Sequence, residues 1–154
     1  MDIGHLLDRQ AIIPKVSATS KRHALTLAGE IASRLYGLKA AAVADSLIER
    51  ERKGSTGVGS GVAVPHARVQ GLDRMRGLFV RLETPIDFGA VDDQPVDLMF
   101  VLLAPADAKA EHLQALAKIS RAMRKPELRE QLRQARTQDA LHALLVQDAH
   151  SSAA

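Results

Sequence analysis

Residues 96–104, Val-Asp-Leu-Met-Phe-Val-Leu-Leu-Ala, form an almost continuously apolar run that limits the fold more than any other feature. A strand with apolar side chains on both faces is typical of a sheet that is covered on both sides. The run is far shorter than the roughly 20 residues that a membrane-spanning helix needs. We therefore expect a central sheet with helices packed over both of its faces.

Two helices are predicted before the glycine-rich part of the chain. Apolar residues recur at spacings of three and four over residues 20–37, and again over residues 39–51. Either Ser20 or Ser17 is suited to cap the start of the first helix, and Gly37 is suited to end it.

A second helical region is predicted after the apolar run. Residues 106–111 are expected to open a helix, with Asp107 as its N-cap. Its buried stripe is expected to contain Leu113, Leu116, Ile119 and Met123. A break is expected at Pro126, and a last helix is expected to begin at Thr137.

Shorter strands are predicted between and before these helices. Residues 11–16 form a strand candidate that Pro14 confines to a sheet edge. Residues 61–64 and 76–83 read as two more strands. The predicted fold class is α/β, with a central mixed sheet flanked by helices on both faces.

Length and composition favour one domain. The chain has 154 residues, 46% of them apolar, and no linker divides it. We expect the domain to span residues 1–148 and the small polar tail, residues 149–154, to be disordered. Cysteine is absent and no signal peptide is visible at the start, which fits a cytoplasmic protein.

The charge pattern does not favour nucleic-acid binding. The net charge is +3, and the densest basic set is interleaved with Glu127 and Glu130 and lacks aromatic residues for stacking. That set is expected to form a solvated helix face and consists of Arg121, Arg124, Lys125, Arg129, Arg133 and Arg136.

Residues 54–61 contain four glycines, which permit sharp turns and exposed backbone N–H groups. Gly54 and Gly59 match the start of a nucleotide-binding P-loop, but the Lys and Ser/Thr that must follow are absent. Gly57 and Gly59 begin a dinucleotide motif whose third glycine is replaced by Val62. Neither ATP nor NAD is expected to bind, and no cofactor or metal is expected.

His66 follows Pro65 at the end of the predicted strand 61–64. The ordinary imidazole pKa is about 6.5, so much of a histidine population is neutral at pH 7. A neutral ring nitrogen can attack phosphorus as a nucleophile. The histidines that are expected to be surface or structural residues are His5, His23, His142 and His150.

Three ordered segments resemble a known family. Residues 54–66, Gly-Ser-Thr-Gly-Val-Gly-Ser-Gly-Val-Ala-Val-Pro-His, are similar to the active-site motif of mannitol/fructose-type enzyme IIA domains of the bacterial phosphotransferase system. Residues 82–97 resemble the next family segment, and residues 102–107 with 111–114 resemble a third. The resemblance covers about residues 3–148.

The resemblance implies site roles that the residues alone do not establish. His66 is expected to carry the phosphoryl group, on its tele nitrogen, and His112 to lie beside it and orient the site. Arg50 occupies the place of the family's phosphoryl-contacting arginine, although Arg52 and Lys53 are close alternatives. The supporting residues are expected to be Ser55, Thr56 and Gly57, whose N–H groups or hydroxyls add donors to the phosphoryl group.

The resemblance also implies partners. A small HPr-like phosphocarrier protein is expected to donate the phosphoryl group. The absence of a second domain and of a IIB-like cysteine favours the nitrogen-regulatory branch of the family. That branch is expected to regulate proteins such as potassium transporters or sensor kinases, and to act as a monomer or weak dimer.

Three alternatives stay open. The chain could be a sugar-transport IIA component that passes phosphate to a separate IIB protein. It could be a regulatory binding module that needs no phosphate. A metal hydrolase that uses His66 and His112 is weaker, because the H-x-x-x-H and H-E-x-x-H spacings are missing.

Overall fold

The computed structural model of the chain describes residues 3–153, with side chains described for residues 3–147. The predicted disordered tail, residues 149–154, lies outside the part whose side chains are described and stays a prediction. The elements in chain order are α1 (Ile3–Leu6), a 3-10 turn (Arg9–Ala11), β1 (Ile12–Val16), α2 (Lys21–Tyr36), α3 (Ala40–Arg52), β2 (Gly57–Gly59), β3 (Val62–Ala63), β4 (His66–Val69), β5 (Arg76–Ile86), β6 (Val96–Pro105), α4 (Ala110–Met123), α5 (Pro126–Gln134) and α6 (Gln138–Ala153).

The apolar run forms β6, the strand around which the sheet is arranged. β5 pairs antiparallel with one edge of β6, and β1 lies parallel beyond β5. β3 and β4 both pair parallel with β6, so the chain follows this strand in two successive pieces. β2 then pairs antiparallel with β3. Residues 98–104 are all buried, so both faces of β6 are covered, and the predicted mixed α/β sheet is confirmed.

The predicted helices before the glycine-rich stretch are confirmed. Ser20 caps α2 by accepting a hydrogen bond from the backbone N–H of His23, at 3.1 Å. Gly37 ends the helix in the left-handed conformation, with φ of 69°, which glycine adopts without strain. β1 is paired with β5 alone, so the predicted edge position of Pro14 also holds.

The predicted start of the helix after β6 is wrong, and its predicted buried face is correct only in part. Asp107 is not its N-cap, because the helix begins at Ala110 and Lys109 occupies the N-cap position. Ile119 and Met123 are buried as predicted, whereas Leu113 is 70% exposed. Two overlapping stripes fit the same periodicity, and the smaller residues face inward because they allow closer packing. The side chains that α4 buries are His112, Ala115, Ile119, Ala122 and Met123.

Arg133, on α5, corrects the prediction of a fully solvated basic face. Its guanidinium makes a forked contact with Asp97, with Nε–Oδ2 and Nη2–Oδ1 distances of 2.9 Å. The same Nη2 donates to the Ser60 carbonyl at 2.6 Å. Such forked charge-assisted bonds are directional, so Arg133 ties α5 to the start of β6 and to the β2–β3 turn.

The two long helices α2 and α3 meet at Gly29. A Cβ atom built on Gly29 would lie 2.6 Å from the Ala40 carbonyl oxygen and 3.1 Å from the Ala44 backbone nitrogen. Both neighbours are backbone atoms, which cannot turn away as a side chain can. The absence of a side chain at Gly29 therefore sets how closely α3 approaches α2.

We expect Gly29→Ala to destabilise the protein. At an open helix position this change stabilises by about 1 kcal/mol, but overpacking typically costs 1–3 kcal/mol. The free energy of unfolding, measured in urea, should fall by about 1–3 kcal/mol. Glu30→Ala, at the next and exposed position, is the matched control and should change it by less than about 0.5 kcal/mol. An increase in stability on Gly29→Ala would contradict this account of the helix contact.

Candidate active site

An open depression of about 630 Å³ brings the three predicted site residues together. It lies between α3, β4 and the first turn of α4. The side chains that line it are those of Asp45, Ser46, Glu49, Arg50, Lys53, His66, Ala67, Arg68, His112, Leu113 and Leu116. The depression is wide enough to admit a side chain of another protein.

His66 is the first residue of β4. The expectation was that the strand ends at Pro65. Instead, the chain continues along β6, where the Leu102 N–H donates to the Pro65 carbonyl at 2.9 Å. Alternation along β4 buries Ala67 and turns His66 toward the depression. A strand therefore holds the backbone of His66, which is firmer support than a loop.

The hydrogen bonds of His66 define which ring nitrogen carries the proton. Nδ1 lies 2.9 Å from the Val64 carbonyl oxygen, which can only accept, so Nδ1 carries the proton. Nε2 lies 3.1 Å from Nε of Arg50, which can only donate, so Nε2 carries the lone pair. The contacts thus assign the lone pair of the neutral ring to the nitrogen that faces Arg50.

Burial lowers the pKa of His66 below its ordinary value of about 6.5. The hydrogen bond to the Val64 carbonyl acts in the opposite direction, because the carbonyl favours a protonated ring. The positive charge of Arg50 lowers the pKa further, and the negative charge of Glu51 raises it. The net result is a ring that is neutral at pH 7.

Arg50 is the member of the basic cluster at the end of α3 that contacts His66. A second bond from its Nη1 to the Gly54 carbonyl, 2.9 Å long, holds the guanidinium in place. Arg52 instead pairs with Glu49 at 2.9 Å, on the exposed side of the helix. Lys53 lines the depression. Of the three candidates, the geometry therefore favours Arg50.

His112 lies in the first turn of α4 and is 7% exposed. Its ring meets that of His66 edge-on, with centroids 5.4 Å apart and planes at 76°. Burial, with smaller effects from His66 and Arg68, lowers its pKa to about 4. Within residues 3–147, its buried Nε2 has no hydrogen-bond partner. His112 is thus a neutral ring with one unused polar atom beside His66.

The glycine-rich stretch forms the approach to β3. The hydroxyls that were expected to donate to a phosphoryl group are already bonded within the protein. The Ser55 hydroxyl donates to the Phe88 carbonyl at 2.8 Å and accepts from the Gly57 N–H. Both the N–H and the hydroxyl of Thr56 donate to Glu51. These residues stabilise the loop that borders the site.

Two residues of the site escaped the sequence analysis. Arg68 could have been found, since it follows His66 by two positions in a strand and so faces the same way. Glu51 could not, because a single acidic residue near a helix end carries no local signal. Its 8% exposure becomes apparent only once α2 and the loop are placed around it.

Within the described part of the chain, no cluster of three or more His, Cys, Asp or Glu side chains is arranged to hold a metal ion. Nor does any helix there have the length and hydropathy needed to cross a membrane.

The fold and this histidine–arginine site define a class of protein, the phosphotransferase IIA components. Residues 5–148 match the model of the family described as phosphoenolpyruvate-dependent sugar phosphotransferase system, EIIA 2. The chain belongs to this family, and it is thereby a phosphotransferase-system component.

Relatives with known names narrow the class to its nitrogen-regulatory branch. A nitrogen regulatory protein of Bradyrhizobium diazoefficiens is 43% identical over 145 residues, which cover 94% of this chain and 95% of the relative. The crystal structure of the nitrogen regulatory protein IIA-Ntr from Neisseria meningitidis has a TM-score of 0.87 and 36% identity, and the match covers 93% of this chain and 98% of that one. The resemblance noted in the sequence is therefore confirmed.

Sugar-transport relatives also exist. A fructose-specific EIIA component of Haloferax volcanii is 37% identical over 106 residues, which cover 69% of this chain and 69% of the relative. The match to this relative is shorter than those to the two nitrogen regulatory proteins.

The low pKa of His112 predicts a pH-dependent stability. Between about pH 6.5 and about pH 4, the unfolded chain binds a proton at this residue that the folded protein does not, so stability rises with pH in this window. The free energy of unfolding should decline as pH falls from 7 toward 4. His112→Gln should flatten part of that decline in urea unfolding series. An identical slope in wild type and variant would contradict the buried, neutral ring.

Proposed function

We propose that His66 accepts a phosphoryl group on Nε2 from a phosphohistidine of a small HPr-like carrier protein. The observation that best supports this proposal is the pair of contacts on the His66 ring. Val64 holds the proton on Nδ1, and Arg50 meets the lone pair of Nε2. The open shape of the depression fits a donor that presents its phosphoryl group on a protein surface.

The transfer balances without metal or nucleotide, because the donor is already activated. The Nε2 lone pair forms a bond to phosphorus while the donor's P–N bond breaks, and the electron pair of that bond stays on the donor ring. Positive charge then develops on the His66 ring. The Nδ1 proton remains in place, and the Val64 carbonyl stabilises that charge by accepting its hydrogen bond.

Arg50 would stabilise the phosphoryl group in the transition state of the transfer. Phosphoryl transfer depends on alignment and on charges that meet the equatorial oxygens. In the resting site, the Arg50 guanidinium lies against Nε2, where the phosphorus must arrive. A small turn of the guanidinium exchanges the ring nitrogen for phosphoryl oxygens, which its planar N–H groups fit in pairs.

His112 and the loop residues would act as supports. The edge-on ring of His112 limits rotation of His66. The unpaired Nε2 of His112 can form a hydrogen bond to a phosphoryl oxygen or to a ring of the partner. Ser55, Thr56 and Gly57 keep the loop fixed through their own hydrogen bonds. We assign them no direct contact with phosphate.

We further propose that phosphorylation of His66 controls the binding of partner proteins. The phosphoryl oxygens bring about two negative charges into the depression, of which the positive charge on the His66 ring offsets one. The rim of the depression combines charged side chains with the exposed Leu113, so a partner that contacts the rim can distinguish the two states. The names of the relatives support nitrogen-linked regulation, and potassium-transport proteins and sensor kinases are the partners that we expect.

The sugar-transport reading remains the second candidate, because of the fructose-specific relative. Transport and regulation can be distinguished by whether the phosphoryl group is passed to another protein. Phosphorylated protein would lose its label to a fructose-type IIB protein if it served transport, and would keep it if it served regulation. A binding module that needs no phosphate would control its partners equally well after His66→Ala.

We expect His66→Ala to abolish phosphorylation. Wild-type protein, incubated with an HPr-like carrier, the general kinase and labelled phosphoenolpyruvate, should gain an acid-labile phosphoryl group. The variant should gain none, because the attacking lone pair is removed. The control is His23→Ala, which changes an exposed histidine outside the depression and should be labelled like wild type. Equal labelling of His66→Ala would refute the assignment.

Replacing Arg50 by lysine should slow the transfer although the charge is kept. An ammonium cannot contact two oxygens in the planar geometry of a guanidinium, and loss of one such stabilising donor typically costs on the order of a hundredfold in rate. Rapid-quench measurement of single-turnover phosphorylation checks this. Arg52→Lys, on the same helix end but paired with Glu49, should retain the wild-type rate. Equal rates for Arg50→Lys and Arg52→Lys would remove Arg50 from the mechanism.

A further inference from the structure

Glu51 is a buried carboxylate that none of these steps uses. It follows Arg50 in the last turn of α3 and is 8% exposed. A buried charge is costly unless it is paired and hydrogen-bonded. Here Oε2 accepts from Lys21 Nζ at 2.8 Å, and Oε1 accepts from both the N–H and the hydroxyl of Thr56. In each of these contacts a carboxyl oxygen of Glu51 is the acceptor.

The loop that Glu51 holds contacts Arg50 directly and is linked to His66 through Val64. The Gly54 carbonyl accepts from Nη1 of Arg50. The Thr56 carbonyl accepts from the Val64 N–H at 2.9 Å, and the carbonyl of the same Val64 holds Nδ1 of His66. Displacement of Thr56 would therefore move the Val64 carbonyl. The Nδ1–H group of His66 would then lose the acceptor that holds it.

Lys21 anchors this arrangement from the other side. Its ammonium lies 5.0 Å from the centre of the Phe88 ring, and the Phe88 carbonyl accepts from the Ser55 hydroxyl. The loop is thus held by Glu51 at Thr56 and by Phe88 at Ser55. Lys21 contacts both of these holding residues.

We propose that Glu51, paired with Lys21, is a positioning residue that fixes the Nδ1–H tautomer of His66 and the placement of Arg50. It acts through Thr56 and Val64 and touches no phosphate. The inference rests on the proposed function for its effect on transfer, whereas the tautomer itself is a property of the resting protein. Nitrogen NMR of labelled histidine reports that tautomer without any phosphorylation.

The decisive variant is Glu51→Gln in the full chain. The amide keeps the shape of the side chain but carries no charge for the ion pair with Lys21. It also has a single acceptor oxygen, so it cannot accept from Lys21 on one side and from Thr56 on the other. We expect the His66 ring to populate both tautomers. The single-turnover rate of phosphorylation should fall on the order of tenfold to a hundredfold, as is usual when reacting groups are misplaced. Phosphoramidate, a small chemical donor, should show the same loss as the carrier protein.

Two controls separate positioning from a general loss of structure. Glu30→Gln removes the same charge from an exposed site on α2 and should change neither the tautomer nor the rate. Leu141→Ala creates a cavity at a fully buried position of α6, away from the α2–α3 contact, and its folded fraction should keep the wild-type tautomer. If Leu141→Ala shifts the tautomer as far as Glu51→Gln does, the proposal is overturned.

Thr56→Val decides the matter if Glu51→Gln fails to fold. It removes the hydroxyl contact to Glu51 and keeps the backbone one, so a smaller shift of tautomer and rate is expected. A wild-type tautomer and rate in every folded variant would overturn the proposal. The two proposals can also fail separately. If Glu51→Gln shifts the tautomer but no donor phosphorylates even the wild-type protein, the positioning role is upheld and the proposed function is rejected.

Discussion

The pairing of both edges of β6 is the constraint on which the rest of the structure depends. One edge is occupied by β5 and the other by β3 and then β4. Because residues 98–104 are apolar on both faces, the strand requires cover on both sides. The same strand that forms the core therefore positions the first residue of β4, which is His66. The hydrogen bonds between β4 and β6 therefore belong both to the core sheet and to the site.

Desolvation is the largest cause of the lowered histidine pKa values at this site. Burial lowers the pKa of both His66 and His112, and each effect favours the neutral ring. Arg50 lowers the pKa of His66 further, since a neighbouring cation disfavours a second one. The arrangement has an energetic cost at low pH, because protonation of either ring favours unfolding. The burial that favours neutral rings therefore also makes the fold sensitive to acid.

Glycine-rich segments are usually mobile, but this one is held at several points. Its polar groups are engaged by Glu51, Phe88 and, through Ser60, by Asp92 and Arg133. Glycine is needed for the backbone path, as the φ of 98° at Gly59 illustrates. The result is a tightly turned but fixed border for the depression. The sequence predicts that Ser55 and Thr56 donate to phosphate, whereas in the structure their hydroxyls donate to the Phe88 carbonyl and to Glu51.

Local patterns in the sequence determined the class of fold, the long helices with their Ser20 and Gly37 ends, and the buried central strand, because these depend on periodicity and short-range hydrogen bonds. Resemblance added the expected roles of His66, His112 and Arg50. Tertiary structure alone decided which stripe of α4 faces inward, since two stripes fit its periodicity equally and only the packing space selects one. It also decided the tautomer of His66, the burial of Glu51 and the hydrogen bond of Arg50 to His66. Each of those depends on contacts between elements that are distant in sequence, and no local pattern encodes such contacts.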